Sequence, residues 1–338
     1  MDNLADTIAE IFSILRYGDL DGKKVFVKPN MLKAAQPEEA AVTHPCLISE
    51  TVLYLERKGA VVMVGDNPVP NHQFSEMKIA EACGFLGAAH GRFRNIGKYS
   101  KRIRVQGLLD QVYVSREILD CDILISLPKF KTHDLTTMSL TVKNHFGIIP
   151  GGQKPFIHSR FPRINDFSKV LVEIYNIRPP DIVIVDLLNV ADARGKTRSP
   201  GKVVAGIDGH AVDYVCALLA GVHPQTVPTI KYAVDGGMLR PDTIDIDGPF
   251  EPLSGFSMPV WFPFRNSIVE HVGRLLYRLW LYRKPVVDET RCTHCLACEH
   301  VCPCEAIHDS RIDYRTCIKC YCCLEVCPTQ AITARLKF

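Results

Sequence analysis

At 338 residues the chain is long enough for one large domain and a small one, and 47% hydrophobic with 23% charged residues describes an ordinary globular protein. A net charge of +3 is too small to imply nucleic acid as a partner, and no run of 18 apolar residues offers a membrane-spanning helix. Fourteen cysteines, behind an N-terminus that reads as neither signal nor transit peptide, lead to the expectation of a cytoplasmic protein whose thiolates serve metal rather than disulfides.

Met1 to Leu20 reads as an amphipathic helix, with Leu4, Ile8, Ile11, Phe12 and Leu15 on one face. Residues 1–256 then alternate strand-like and helical patterns, which predicts an α/β domain with a mostly parallel sheet and flanking helices. Five short, β-branched runs are expected as buried strands: 24–28, 61–65, 122–127, 181–186 and 202–207. Helices are expected at 45–58, 75–83, 167–177 and 210–220.

Polar residues follow these strands closely. Lys28 and Asn30 end the first, Asp66 the second, and Pro128 to His133 are expected as the loop after the third. Asp186 ends the fourth, and Asp208 follows the fifth ahead of a helix carrying Asp213. Ligands of open parallel sheets bind beyond the carboxyl ends of the strands, so a crevice there is the leading candidate site. Polar loops and helix-capping aspartates give the same pattern without any ligand. The densest stretch, 129–162, adds Lys143, Asn144, His145 and His158. Lys131, His133, Lys143 and His158 are the candidate catalytic residues; Lys28, Asn30, Asp66, Asn144, Asp186 and Asp208 are the candidate binding residues. Clustered Lys and His suit a small anionic substrate, or a carbonyl polarised while an imidazole moves protons. His133, His145 and His158 could instead hold a metal, but their spacing matches no compact ligand motif.

Other signals are weaker. The basic run from Arg92 to Arg104 reads as a solvated hairpin, with docking of an acidic electron carrier as the alternative. Gly195-Lys196-Thr197 lacks the earlier glycine of a phosphate loop, since Val190 stands there. No G-x-G-x-x-G follows any predicted strand, so neither a nicotinamide nor a flavin fingerprint is present. Residues 262–283, within a 257–284 linker, read as an amphipathic brace between domains, and contact with a membrane surface is the alternative. Cys46, Cys83, Cys121 and Cys216 are expected as core residues.

The other ten cysteines fall after residue 290, which places a second domain at 285–338. Cys292-x2-Cys295-x2-Cys298-x3-Cys302-Pro303 recurs 25 residues later as Cys317-x2-Cys320-x2-Cys323-x3-Cys327-Pro328. In this bacterial two-cluster ferredoxin pattern the fourth cysteine of each run ligates the other cluster. Two [4Fe–4S] clusters are therefore expected in a small α+β domain. One uses Cys292, Cys295, Cys298 and Cys327; the other uses Cys317, Cys320, Cys323 and Cys302. Cys322 falls opposite Ala297 and Cys304 opposite Thr329, so both are expected as non-ligands. A zinc ribbon or a disulfide framework is the other reading of paired C-x-x-C runs, and the cross-over spacing disfavours it.

The segments LPKFKTH, LTVKNHFGIIPG, IHSR, IVDLLN and AGIDGHAVDYV, together with CIKCYCCLEVCP, resemble family three-six-two of the domains of unknown function. The resemblance implies an N-terminal α/β domain fused to a two-cluster ferredoxin domain. It departs after the fourth strand, where NVADARGKTRSPGK replaces an acidic, Gly-Pro-rich loop. A more remote likeness to lactate racemases, whose nickel-pincer cofactor is held by Lys and His, is one of fold. The leading expectation is an oxidoreductase taking electrons from a carrier such as ferredoxin or flavodoxin. The alternatives are a non-enzymatic electron-transfer or assembly factor, and a racemase-like proton mover with structural or sensing clusters.

Overall fold

The computed structural model describes residues 3–68, 75–133, 136–258 and 283–336. The expected 257–284 linker helix falls largely outside the described residues. The main sheet is built from β1 (Lys24–Pro29), β2 (Val61–Val64), β5 (Ile123–Leu127), β6 (Lys129–His133), β7 (Thr137–Ser139), β8 (Ile182–Ala191), β9 (Thr197–Arg198) and β10 (Lys202–Gly206). A separate hairpin pairs β3 (Ser100–Arg104) with β4 (Gln111–Ser115). It is the hairpin expected around the basic run, and Lys101, Arg102 and Arg104 on it are exposed.

β1, β2, β5, β6 and β8 are mutually parallel, in the order β2-β1-β5-β8-β6. β5 and β6 lie one after the other against β8, with Pro128 between them, where the Asp186 amide donates to the Pro128 carbonyl at 2.8 Å. Proline cannot donate to a ladder, so the strand breaks there; it resumes in the same register at Lys129, opposite Asp186, and the register shifts only between Lys129 and Lys131. The stretch expected as a loop, 129–133, is therefore a strand. β8 likewise continues five residues past Asp186, through Ala191.

Side chains alternate between the two faces, as the pleat requires. Val25, Val27, Ile125 and Ile184 pack with Ile8 and Phe12 of α1 (Leu4–Ile14) and Leu47, Val52 and Leu55 of α2 (Pro45–Arg57). On the other face Phe26 and Leu124 meet Phe167, Leu171 and Ile174 of α8 (Ile164–Tyr175), while Val183 and Val185 meet Val212 and Cys216 of α9 (Gly209–Leu219). Each fully buried side chain of this size contributes roughly 1.5–3 kcal/mol. The first helix is shorter than the expected 1–20, ending where Arg16 turns left-handed. Of the four early cysteines, Cys83, Cys121 and Cys216 are buried as expected, but Cys46 is exposed in the first turn of α2.

The fifth expected strand runs the other way. β10 is antiparallel to β8, with Gly206 beside Val183 at the start of that strand. Asp208 thus emerges at the sheet end opposite the carboxyl ends of the parallel strands. It caps α9, accepting from the His210 amide at 2.8 Å.

The C-terminal segment begins at β11 (Arg283–Val287), which pairs antiparallel with β14 (Ile332–Leu336). Its duplication is visible in the backbone. The left-handed residues His294, Leu296 and Glu305 recur 25 positions later as Lys319, Tyr321 and Gln330. Each copy carries one short helix, Ala297–His300 and Cys322–Val326, beginning right after the left-handed Leu296 or Tyr321.

Candidate functional site

Beyond the carboxyl ends of β1, β2 and β6 lies an open cleft, lined among others by Asn30, Asp66, Lys131, His133, Lys143, Asn144, Lys154 and His158. All four candidate catalytic residues are in this lining, with three of the six candidate binding residues. Lys28 forms its floor. It is fully buried, with its Nζ 2.8 Å from Asp66 Oδ1 and 3.2 Å from Asn144 Oδ1. Burial pushes the Lys28 pKa down against the pull of Asp66.

The floor is one connected network. Asn144 Nδ2 donates to Ser126 Oγ at 3.1 Å, and Asn144 Oδ1 also accepts from Asn30 Nδ2 at 3.3 Å. Asp66 Oδ2 accepts the Met31 amide at 2.8 Å, and Lys131 Nζ donates to Asn30 Oδ1 at 3.0 Å and to the Ala41 carbonyl at 2.7 Å. Gly147 closes over this floor. A Cβ there would overlap Asp66 Oδ1 and Lys28 Nζ, so the position tolerates hydrogen only.

The short helix α6 (Thr141–Asn144) delivers Lys143 and Asn144. Its first two amides donate to Asp213, Thr141 N at 2.7 Å and Val142 N at 3.0 Å. Burial raises the Asp213 pKa to about 7. A neighbouring aromatic platform orients the cations. Lys143 Nζ sits 5.0 Å from the Phe146 ring centre and 5.8 Å from that of Phe167, Lys154 Nζ lies 5.6 Å from Phe146, and His158 stacks on Phe167 at 4.3 Å. Lys154, on α7 (Gln153–Arg160), also donates to the Asn67 carbonyl. It is a cleft residue that the sequence reading missed. Its one signal is the preceding Gly151-Gly152 turn.

Two candidate residues lie elsewhere. Asp186 is fully buried beneath the sheet edge, 2.8 Å from Lys129 Nζ, and accepts the His44 amide at 2.6 Å and the Leu188 amide at 2.9 Å. With its oxygens so engaged it anchors α2 to β8 rather than facing a ligand. Asp208 sits at the opposite sheet end, because β10 is antiparallel. His145 is buried, edge-on to Tyr175, and burial beside Lys28 lowers its pKa to about 3. The three histidines do not converge: His133 and His158 line the cleft, and His145 does not. Asp192, in the departing loop, accepts the Arg194 amide at 2.9 Å and the Lys196 amide at 3.1 Å, a turn-forming role.

Among the described residues the cleft holds one carboxylate, Asp66, already paired to Lys28, and three further ammonium groups, Lys131, Lys143 and Lys154, plus two imidazoles. That balance favours an anion. His133 Nδ1 accepts the Thr136 amide at 3.2 Å, so in the neutral ring the proton belongs to Nε2.

In the C-terminal segment two small cavities collect the sulfurs. One is lined by Cys292, Cys295, Cys298 and Cys327 with Val287, Ala297, Ala331 and Ile332. The other is lined by Cys302, Cys317, Cys320 and Cys323, together with Cys304 and Cys322. Burial raises the Cys298 and Cys302 thiols to about 11, and Cys323 well above its ordinary value, so without metal these three hold their protons. Backbone amides already point at the two cross-over sulfurs, Ala306 N to Cys302 and Ala331 N to Cys327, each at 3.2 Å. Sulfur donors, apolar walls and amide–sulfur bonds together fit an iron–sulfur group.

Residues 25–218 match the model of the "Domain of unknown function (DUF362)", and 285–308 and 310–333 each match a "4Fe-4S binding domain". The chain belongs to the DUF362 family. The cleft lies wholly within its DUF362 segment, and a 4Fe–4S domain follows. A thylakoid-associated protein of Synechocystis is 29% identical over 220 residues, which cover 62% of this chain and 66% of that relative. The chain also has distant likenesses among solved structures. The lactate racemase apoprotein of Thermoanaerobacterium thermosaccharolyticum shows 13% identity and a TM-score of 0.43, over 65% of this chain and 55% of that one. A structural-genomics protein of Thermotoga maritima shows 11% identity and a TM-score of 0.42, over 65% of this chain and 59% of that one. Among the described residues no helix is long and apolar enough to cross a membrane.

Proposed function

We propose that this DUF362 protein is an iron–sulfur oxidoreductase that reduces a small anion in the α/β cleft, using two [4Fe–4S] clusters. The observation that carries this reading is a cation-lined cleft, with Lys131, His133, Lys143, Lys154 and His158 around the Lys28–Asp66 pair, in one chain with a 4Fe–4S domain. One cluster is assigned to Cys292, Cys295, Cys298 and Cys327, the other to Cys302, Cys317, Cys320 and Cys323. When bound, the clusters supply electrons one at a time, from a reduced carrier of the ferredoxin or flavodoxin class.

The chain's own residues do the rest. Lys143 and Lys154, held on the Phe146 and Phe167 rings, neutralise the anion. Lys131 polarises the reducible group, and His133 donates a proton from Nε2. Reduction of a carbonyl to an alcohol consumes two electrons and two protons, so each product formed oxidises two equivalents of reduced carrier. His158 turns its ring to the same platform and serves as the second proton donor.

The test is anaerobic incubation of the loaded, reduced protein with a panel of small 2-oxo and unsaturated carboxylates, with product analysis by mass spectrometry. One reduced product per two electrons lost supports the reading. If cleft-binding anions are never reduced but exchange their α-hydrogen with deuterated solvent, the proton-mover alternative replaces it.

A further inference from the structure

The loop that leaves β1 does two things at once. At its start Asn30, Met31 and Leu32 line the cleft, and the Met31 amide is fixed by Asp66. At its far end a single turn, Pro37–Glu39, is closed by a reciprocal cap in which Glu39 Oε1 accepts the Gln36 amide at 2.8 Å. The other oxygen, Glu39 Oε2, accepts a hydrogen bond from Gln330 Nε2 at 2.8 Å, 291 residues away in the ferredoxin-like segment. Gln330 follows Cys327 by three residues, and its amide donates to the Cys327 carbonyl at 3.2 Å. The loop is pinned between its ends: Cys83 Sγ donates to the Lys33 carbonyl at 3.2 Å, and Asn189 Nδ2, whose own oxygen holds Lys129, donates to the Pro37 carbonyl at 2.6 Å.

The duplication explains why only one end of the ferredoxin-like segment can dock this way. The position equivalent to Gln330 is Glu305, left-handed like it, exposed, and also three residues after a cross-over cysteine, Cys302. A carboxylate there cannot donate to Glu39, and two carboxylates would repel. The half bearing Cys327 is thus selected.

We propose that residues 30–40 form the electron-transfer seam between the ferredoxin-like segment and the cleft, and that Glu39 and Gln330 orient the segment so that the cluster held by Cys292, Cys295, Cys298 and Cys327 is the inner one. The order is then carrier to the outer pocket, outer to inner, and inner to the cleft ligand, one electron at each step, each donor being oxidised as its acceptor is reduced. Lys33 is the positioning charge at this seam. It lies half-buried on the loop, where burial lowers its pKa while Glu39 and Cys327, both within electrostatic reach, pull it back up against Arg291. A fixed cation beside an iron–sulfur group stabilises the reduced state, so Lys33 favours the electron on the inner side. This order rests on the proposed redox function, but it predicts a property of the protein without substrate.

The experiment is an anaerobic potentiometric titration of the loaded full-length protein, followed by electron paramagnetic resonance, with the inner signal identified by its perturbation in Cys292→Ser. Lys33→Met is expected to leave the inner cluster about tenfold less reduced at a fixed potential, a shift of about 59 mV to more negative values, with under a third of that on the outer cluster. An equal or larger shift on the outer cluster, or none on either, overturns the proposal. Should Lys33→Met fail to load its clusters, Gln330→Glu tests the same seam by small-angle scattering. The particle should expand, and adding Glu39→Gln should restore its dimensions, since an amide at position 39 can donate to a carboxylate at 330. Unchanged dimensions in Gln330→Glu, or no rescue, would also overturn it. Neither readout involves turnover, so a seam that behaves as described beside a cleft that reduces nothing would refute the proposed function alone.

Discussion

The cleft and the cysteine cavities both bury groups that water would rather keep, and they do so in opposite ways. Beneath the cleft the fully buried charges are already matched: Lys28 lies on Asp66 at 2.8 Å and, nearby, Lys129 lies on Asp186 at 2.8 Å. In the cavities Cys298 and Cys323 are buried as thiols whose pKa values are raised by burial and by neighbouring sulfurs. The first centre is complete as protein. The second reaches its working charge only when metal displaces the protons.

Removing iron should break that comparison most visibly. Chelation is expected to unfold the 283–336 segment, whose small buried clusters set the sulfurs among only a few aliphatic side chains, while the α/β sheet persists. Hydrogen exchange resolves the two: protection lost after residue 283 and kept in β1, β5 and β8. Next in size, Asp66→Ala leaves Lys28 buried and unpaired, a loss of about 3–5 kcal/mol measured by urea denaturation. Gly147→Ala forces a methyl into the same pair and is expected to cost about 1–3 kcal/mol.

Acid sharpens the contrast further. His145 has its pKa lowered to about 3 in the fold, so below about 6.5 the unfolded chain binds a proton that the native state refuses. Its stabilising contribution is full above about pH 6.5 and is lost as the pH falls toward 3. Asp213 behaves oppositely: with its pKa raised to about 7, its contribution is greatest at low pH and declines as the pH rises from about 4 to 7. Melting temperature against pH should therefore fall less steeply on the acid side in His145→Phe, where the lowered pKa values of His44 and His210 still act. The smallest stability change belongs to Lys143→Ala, under about 1 kcal/mol at a half-buried cation. Calorimetry with a small carboxylate should nonetheless show at least tenfold weaker binding.

The two centres also differed in how much of them could be read from sequence. Cysteine spacing is local, so the sets Cys292/295/298/327 and Cys302/317/320/323 were legible, and each set lines one cavity. The parallel core was legible too, since β1, β5 and β8 are continuous apolar runs. Direction was harder. The expected strands 181–186 and 202–207 leave room for a parallel crossover, but β8 runs on to Ala191 and leaves too short a connection, so β10 turns back antiparallel and carries Asp208 away from the site. Lys131 and His133 were found but placed on a loop, because Pro128 hides the resumption of the strand as β6. Asp186 has the composition of a ligand, and only the approach of Lys129 and the His44 amide shows it to be saturated. Lys154 reaches the cleft through the path of α7, to which the Gly151-Gly152 turn before it is the only local pointer.

The central claim is that electrons held in the ferredoxin-like segment leave it through an anion in the cleft. Rapid-freeze electron paramagnetic resonance of the dithionite-reduced protein, mixed anaerobically with a carboxylate shown to bind, tests it most directly. The account predicts decay of the reduced cluster signal in the wild type and none in Lys143→Ala at the same ligand concentration. A reduced signal that persists in the wild type with the cleft filled would contradict it.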